Sequence, residues 1–193
     1  MANKIRWLGH AAFEITTAQG CRILIDPWLT GNPSCPVKAA DVAGADLILI
    51  THDHHDHYGS DLPELVKANS IVVGQPEVVA QVKQDGIAAE NVINSGSGMN
   101  IGGTVTVRDV KVTMTQAVHS SAAGTPCGFI VTLEDGTVIY HAGDTGIFAS
   151  MKLFGELYDL DVALLPIGSA FVMDPLQAAK ALQLLQPKIA IPM

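Results

Sequence analysis

The stretch Thr51-His52-Asp53-His54-His55-Asp56-His57 sets four histidines and two aspartates in six consecutive positions, directly after the predicted buried strand Asp46–Ile50. Such groups are costly to bury and add nothing to an apolar core. Imidazole and carboxylate together are ligands for zinc, iron or manganese. Side chains alternate along an extended segment, so His52 and His54 point the same way and can grip one ion. Asp56 and His57, where the chain turns into the next helix, can grip a second.

Two adjacent ions need more ligands than one loop provides. His119 follows the predicted strand Lys111–Gln116, and Asp26 follows Arg22–Ile25. Asp144 follows the predicted strand Thr137–Tyr140, in the turn His141-Ala142-Gly143-Asp144-Thr145-Gly146, whose glycines let the backbone come close to a site. Each candidate therefore sits just past the carboxyl end of a strand, the placement expected for one shared cleft.

The positioning elements are short. Lys4–Leu8, Phe13–Thr17, Ser70–Gly74, Gly128–Leu133, Asp161–Leu165 and Lys188–Pro192 also read as strands, with Glu134-Asp135-Gly136 as a hairpin turn. Helices are expected over Leu62–Ala68, Pro76–Gln84 and Asp174–Leu185. In the last, Asp174 caps, Pro175 opens the first turn and Gln177 completes a capping-box pattern. Asn91–Val107 reads as short strands and turns.

Composition narrows the classes further. Of the 193 residues 48% are apolar and 16% charged, which excludes intrinsic disorder. The formal charge is −8 and the basic residues are scattered, so no nucleic-acid partner is expected. The longest apolar run, Asp161–Met173, is broken by Pro166, Gly168 and Ser169 and is too short to span a bilayer. With no secretory leader in the first residues, a cytoplasmic location is expected. Cys21, Cys35 and Cys127 are odd in number and far apart, which points to reduced packing thiols.

On these residues the chain resembles the metallo-β-lactamase-fold hydrolase superfamily. That family carries an aspartate after an early strand, then His-x-His-x-Asp-His, a lone histidine, a bridging aspartate and a final histidine. Asp26, the His52–His57 motif, His119 and Asp144 match the first four in order, across residues 5–193. Trp-Leu-Gly-His-Ala at 7–11, Asp-Pro-Trp-Leu-Thr-Gly-Asn-Pro at 26–33 and Met-Asp-Pro at 173–175 resemble a subgroup related to L-ascorbate-6-phosphate lactonase. There, Ile-Pro-Met is followed at once by the final histidine ligand. The chain stops at Met193, so the expectation is one hydrolase domain over 1–193, truncated before that ligand. Its exposed apolar last strand is expected to favour a homo-oligomer.

The resemblance implies an α/β (α+β) fold, a four-layer α-β-β-α sandwich with metals at one edge. It implies that His52, His54 and His119 hold a first ion, that Asp56 and His57 hold a second, and that Asp144 bridges. Asp26 would orient the motif loop by hydrogen bonds, and His10 would lie near the cleft as a substrate contact or a structural hydrogen bond. His55 is not expected to be a ligand, and His141 is expected to pack. Tyr58 and Ser120 read equally as pocket or surface residues.

The function expected is a metal-dependent hydrolase. Two divalent ions (zinc or manganese, with iron or nickel admitted) would generate hydroxide, Asp56 would position or accept a proton, and an ester, lactone or phosphoester of a small molecule would be cleaved. The alternatives are a mononuclear iron thiol dioxygenase and a metal-binding domain without catalysis.

Overall fold

A computed structural model describes residues 2–193. Among these residues eleven strands form two sheets. The first has the order β1 (Lys4–Trp7), β2 (Phe13–Thr16), β3 (Arg22–Ile25), β4 (Leu47–Leu49), β5 (Ile71–Val73). The second runs β11 (Ile189–Pro192), β10 (Val162–Leu165), β9 (Val138–His141), β8 (Cys127–Thr132), β7 (Val110–Gln116), β6 (Thr104–Val107). Among the described residues the helices are α1 (Ala39–Val42), α2 (His55–Tyr58), α3 (Leu62–Leu65), α4 (Pro76–Gln84), α5 (Ile93–Gly96), α6 (Met151–Leu157) and α7 (Pro175–Leu185).

Both faces of the central strands are buried, which explains their unbroken apolar character. Ile23, Ile25, Leu47 and Leu49 point inward, against Met114, Phe129, Ile139 and Leu164 of the other sheet. Leu24 and Ile48 alternate outward and pack under Val42, Leu62, Leu65 and Val79. On the far side Ile130, Tyr140 and Ala163 meet Met151, Ala178 and Leu185. The result is the expected α-β-β-α sandwich.

Strand direction places the cleft. β1 and β2 are antiparallel, β2 and β3 likewise, and β3 is parallel to β4. The carboxyl ends of β1, β3 and β4 therefore share one edge. In the second sheet β7, β9, β10 and β11 share a direction by the same reasoning. Loops from these seven strand ends carry His10, Asp26, His52–His57, His119, Asp144, Phe171 and Met193.

Several expected boundaries move. Leu62–Ala68 is helical only to Leu65, since Val66 is extended. The strand expected at Thr137–Tyr140 is Val138–His141, which makes His141 a strand residue. Asn91–Val107 contains the short turn α5, where Asn94 and Ser95 are left-handed, before β6. Asp174 caps α7 by accepting the Gln177 N–H at 2.7 Å. Cys21 and Cys127 are buried free thiols, and Cys35 is half-buried and free. No helix among the described residues is long and apolar enough to cross a membrane.

Candidate metal centre

The motif loop leaves β4 extended. His54 is the last extended residue (φ −62°, ψ 143°) before the single turn of α2, where the Tyr58 N–H returns to the His54 carbonyl at 2.8 Å. This change of conformation divides the motif. His52 and His54 turn toward the second sheet, whereas His57 points beneath the loop toward Asp26.

Three imidazole nitrogens converge. His52 Nε2 lies 3.0 Å from His54 Nδ1, which lies 3.3 Å from His119 Nε2. A second group is His10, His57 and Asp144, with one donor atom from each within 4.8 Å of the others. His57 Nε2 is 3.3 Å from Asp144 Oδ1, while Asp144 Oδ2 is 3.7 Å from His119 Nε2. The Asp144 carboxylate thus turns one oxygen to each group.

Hydrogen bonds on the far side of the His52, His57 and His119 rings orient them. Asp26 is fully buried and accepts three donors: the Thr51 N–H at 2.8 Å, the Thr51 hydroxyl at 2.6 Å and His57 Nδ1–H at 2.8 Å. With its proton on Asp26, the Thr51 hydroxyl oxygen accepts His52 Nδ1–H at 2.9 Å. His119 Nδ1–H donates to the Phe171 carbonyl at 3.1 Å. The lone pairs of His52 and His119 Nε2 are left facing the cleft.

Burial pushes the His52 imidazole down to about 4, and the neighbouring His57 adds to that shift. Burial also lowers His119. His57 is the exception. Burial alone would lower it, but the charges of Asp26 and Asp144 outweigh that and raise it to about 10. Burial would raise Asp26, yet the adjoining His57 imidazolium holds it down to about 2.

The donor set fits divalent cations. Ligand atoms about 2.0–2.2 Å from one ion are roughly 2.9–3.5 Å apart in tetrahedral or octahedral coordination. The separations of 3.0 and 3.3 Å in the first group and 3.3 Å in the second fall in that range. His57 Nε2 is buried and makes no hydrogen bond of good geometry.

The other expected residues divide. Asp56 lies at the cleft, half exposed, with Oδ2 at 3.2 Å from His10 Nε2, and belongs to neither group of three. His55 and Ser120 line the cleft, and His55 also stands outside both groups. Tyr58 points away and donates to Asp85 at 2.6 Å. His141 is wholly buried, donating from Nε2 to the Ala11 carbonyl at 2.9 Å and accepting the Gly143 N–H at 3.1 Å. Sequence reasoning missed Thr51 and Phe171. For Thr51 the signal was a hydroxyl beside the first motif histidine. The cleft has a volume of about 690 Å³ and is completed by Pro166, Phe171, Val172 and Met193.

The sequence profile of the beta-lactamase superfamily domain matches residues 4–193. The chain belongs to this superfamily. It is 47% identical over its full length to a UPF0173 metal-dependent hydrolase of Nitratidesulfovibrio vulgaris, covering 80% of that protein. It is 48% identical to another of that name from Pyrobaculum arsenaticum, with 98% of this chain and 83% of the relative aligned. Among solved structures, Igni18, a metallo hydrolase from Ignicoccus hospitalis, superposes with a TM-score of 0.87 at 38% identity, over 99% of this chain and 82% of that one. The hydrolase is accordingly metal-dependent, on the metallo-β-lactamase fold.

Proposed function

We propose that the hydrolase holds two divalent cations, one at His52, His54 and His119 and one at His57, with Asp144 between them, and cleaves an ester or lactone of a small molecule. The observation that carries this reading is the meeting of three imidazole nitrogens, with His54 Nδ1 within 3.3 Å of the other two and those two aimed by hydrogen bonds on the opposite ring edge. Bound there, zinc or manganese would bring the pKa of water from 15.7 towards about 7 and polarise the bond to be broken.

The chain's own groups then have separate tasks. Asp26 and Thr51 hold His52 and His57 in one tautomer and orientation, so no reorganisation is needed when substrate arrives. Asp56 reaches the cleft with only His10 as a partner, and its free carboxylate oxygen accepts the proton of the attacking water and returns it to the leaving oxygen. Phe171, Val172, Pro166 and Met193 form an apolar wall beside the imidazoles. That wall favours a hydrocarbon-bearing ester or lactone over the phosphoesters that the same ligand set could cleave.

The test is a panel of aryl esters, γ-lactones and phosphodiesters assayed with added manganese or zinc, with His54→Ala beside the parent. The expected result is turnover of esters or lactones by the parent and a loss of at least about 10²-fold in the variant. Equal rates in parent and variant contradict the reading.

A further inference from the structure

We propose that His10 is itself a ligand of the second cation. This rests on the two-cation reading above and extends it, since that reading supplies the second ion only with His57 and a share of Asp144.

His10 is far from the motif in sequence, and the fold brings it there. It follows β1, whose carboxyl end shares the cleft edge with β3 and β4. The turn from Leu8 to Ala12 closes with the Leu8 N–H on the Ala12 carbonyl at 2.8 Å and the Ala12 N–H on the Gly9 carbonyl at 2.9 Å. Within it Gly9 has φ +98° and His10 has φ +52°. A side chain at residue 9 would strike Asn32 and the Ser34 backbone at 2.9 Å, so the turn is wedged against that loop. A histidine in the left-handed region costs about 1–2 kcal/mol, and such strain gathers at functional sites. The cost is met from outside the turn: the Trp7 indole donates to the His10 carbonyl at 2.7 Å, and the Trp28 ring stands edge-on at 5.7 Å.

This arrangement presents the His10 imidazole to an incomplete donor set. Its ring lies 5.0 Å from that of His57, and a nitrogen of each falls in one group with an Asp144 oxygen. His10 Nε2 also lies 3.2 Å from Asp56 Oδ2, so the ring is turned into the cleft. The remaining member of that group, His57, is fully buried, and its Nε2 makes no hydrogen bond of good geometry, with the Asp144 carboxylate beside it at 3.3 Å.

The experiment is calorimetric titration of metal-free protein with Mn²⁺, supported by the magnetic-resonance signal of coupled manganese pairs. It compares the parent, His10→Gly, which relieves the strained φ, and His10→Asn, which tolerates it. Metal-free melting temperatures identify folded variants. The parent should bind two ions, and each folded variant should keep the first ion and bind the second at least about tenfold more weakly, with the coupled-pair signal lost at matched manganese. Second-ion affinity within threefold of the parent in a folded variant overturns the proposal while leaving the two-cation reading standing. A parent that binds no pair overturns both.

Discussion

Asp26 accepts the His57 Nδ1–H at 2.8 Å, with both side chains wholly buried. The same carboxylate accepts both donors of Thr51, so every hydrogen bond it makes in the site holds part of the motif loop. Asp26→Asn keeps the shape but turns an amide N–H toward a donor whichever way it is placed. Breaking one side of a buried ion pair costs about 3–5 kcal/mol. Urea unfolding of Asp26→Asn should show a loss of that order, and its affinity for the second cation should fall about 10–100-fold. Parent-like stability would remove Asp26 from this role.

The buried histidines give metal-free protein a stability maximum. His52 and His141 are held below their ordinary 6.5, so the unfolded chain binds more protons there and stability rises with pH up to about 6.5. His57 is raised to about 10, so its contribution is complete below 6.5 and is lost as pH climbs through 10. The Asp26 contribution, with the carboxyl at about 2, persists until strong acid. Melting temperatures of chelator-treated protein should peak near pH 6.5 and decline on both sides. A steady rise to pH 9 would contradict this assignment.

Gly143 immediately precedes Asp144 with φ +62°, and a Cβ there would collide with the Cys127 carbonyl and press on Thr51. Gly143→Ala therefore combines a left-handed backbone with overpacking, together about 2–4 kcal/mol. Because Thr51 orients His52 and Asp144 lines the cleft, the variant should also lose metal affinity. Denaturant unfolding with a metal titration checks both, and a variant stable to within 0.5 kcal/mol of the parent would show that the loop yields.

His141 fastens one sheet to the other. From β9 it donates to Ala11, in the turn after β1, and accepts from Gly143. His141→Ala strands the Ala11 carbonyl and the Gly143 N–H and opens a cavity beside Phe13, whose ring lies 5.7 Å away. The expected loss of stability is about 2–4 kcal/mol, read by denaturant unfolding. A change below 1 kcal/mol would mean the loops hold each other without it.

Much of the site is legible in the sequence. The motif from His52 to His57 announces itself because polar groups at that density have no use in a core. His119, Asp144 and Asp26 followed because strands buried on both faces appear as apolar runs with the chemistry at their ends. The edges are less legible: nothing local distinguishes His141 from Tyr140, so the sequence puts the strand end one residue early. Helix α1 was invisible, four residues with Asp41 accepting the Lys38 N–H at 3.0 Å and no apolar repeat to reveal it. His10 facing His57 depends on strand direction across β1, β2 and β3, a relationship no single segment encodes. Phe171 reaches His119 through a main-chain carbonyl, which carries no side-chain signature.

Imidazoles and carboxylates from separate loops are expected to bind a pair of ions, and anomalous scattering from zinc-loaded crystals would locate them. One peak should lie about 2.0–2.2 Å from His52 Nε2, His54 Nδ1 and His119 Nε2, and another at like distances from His57 Nε2 and an Asp144 oxygen. Fully loaded crystals with no peak among His52, His54 and His119 would contradict it.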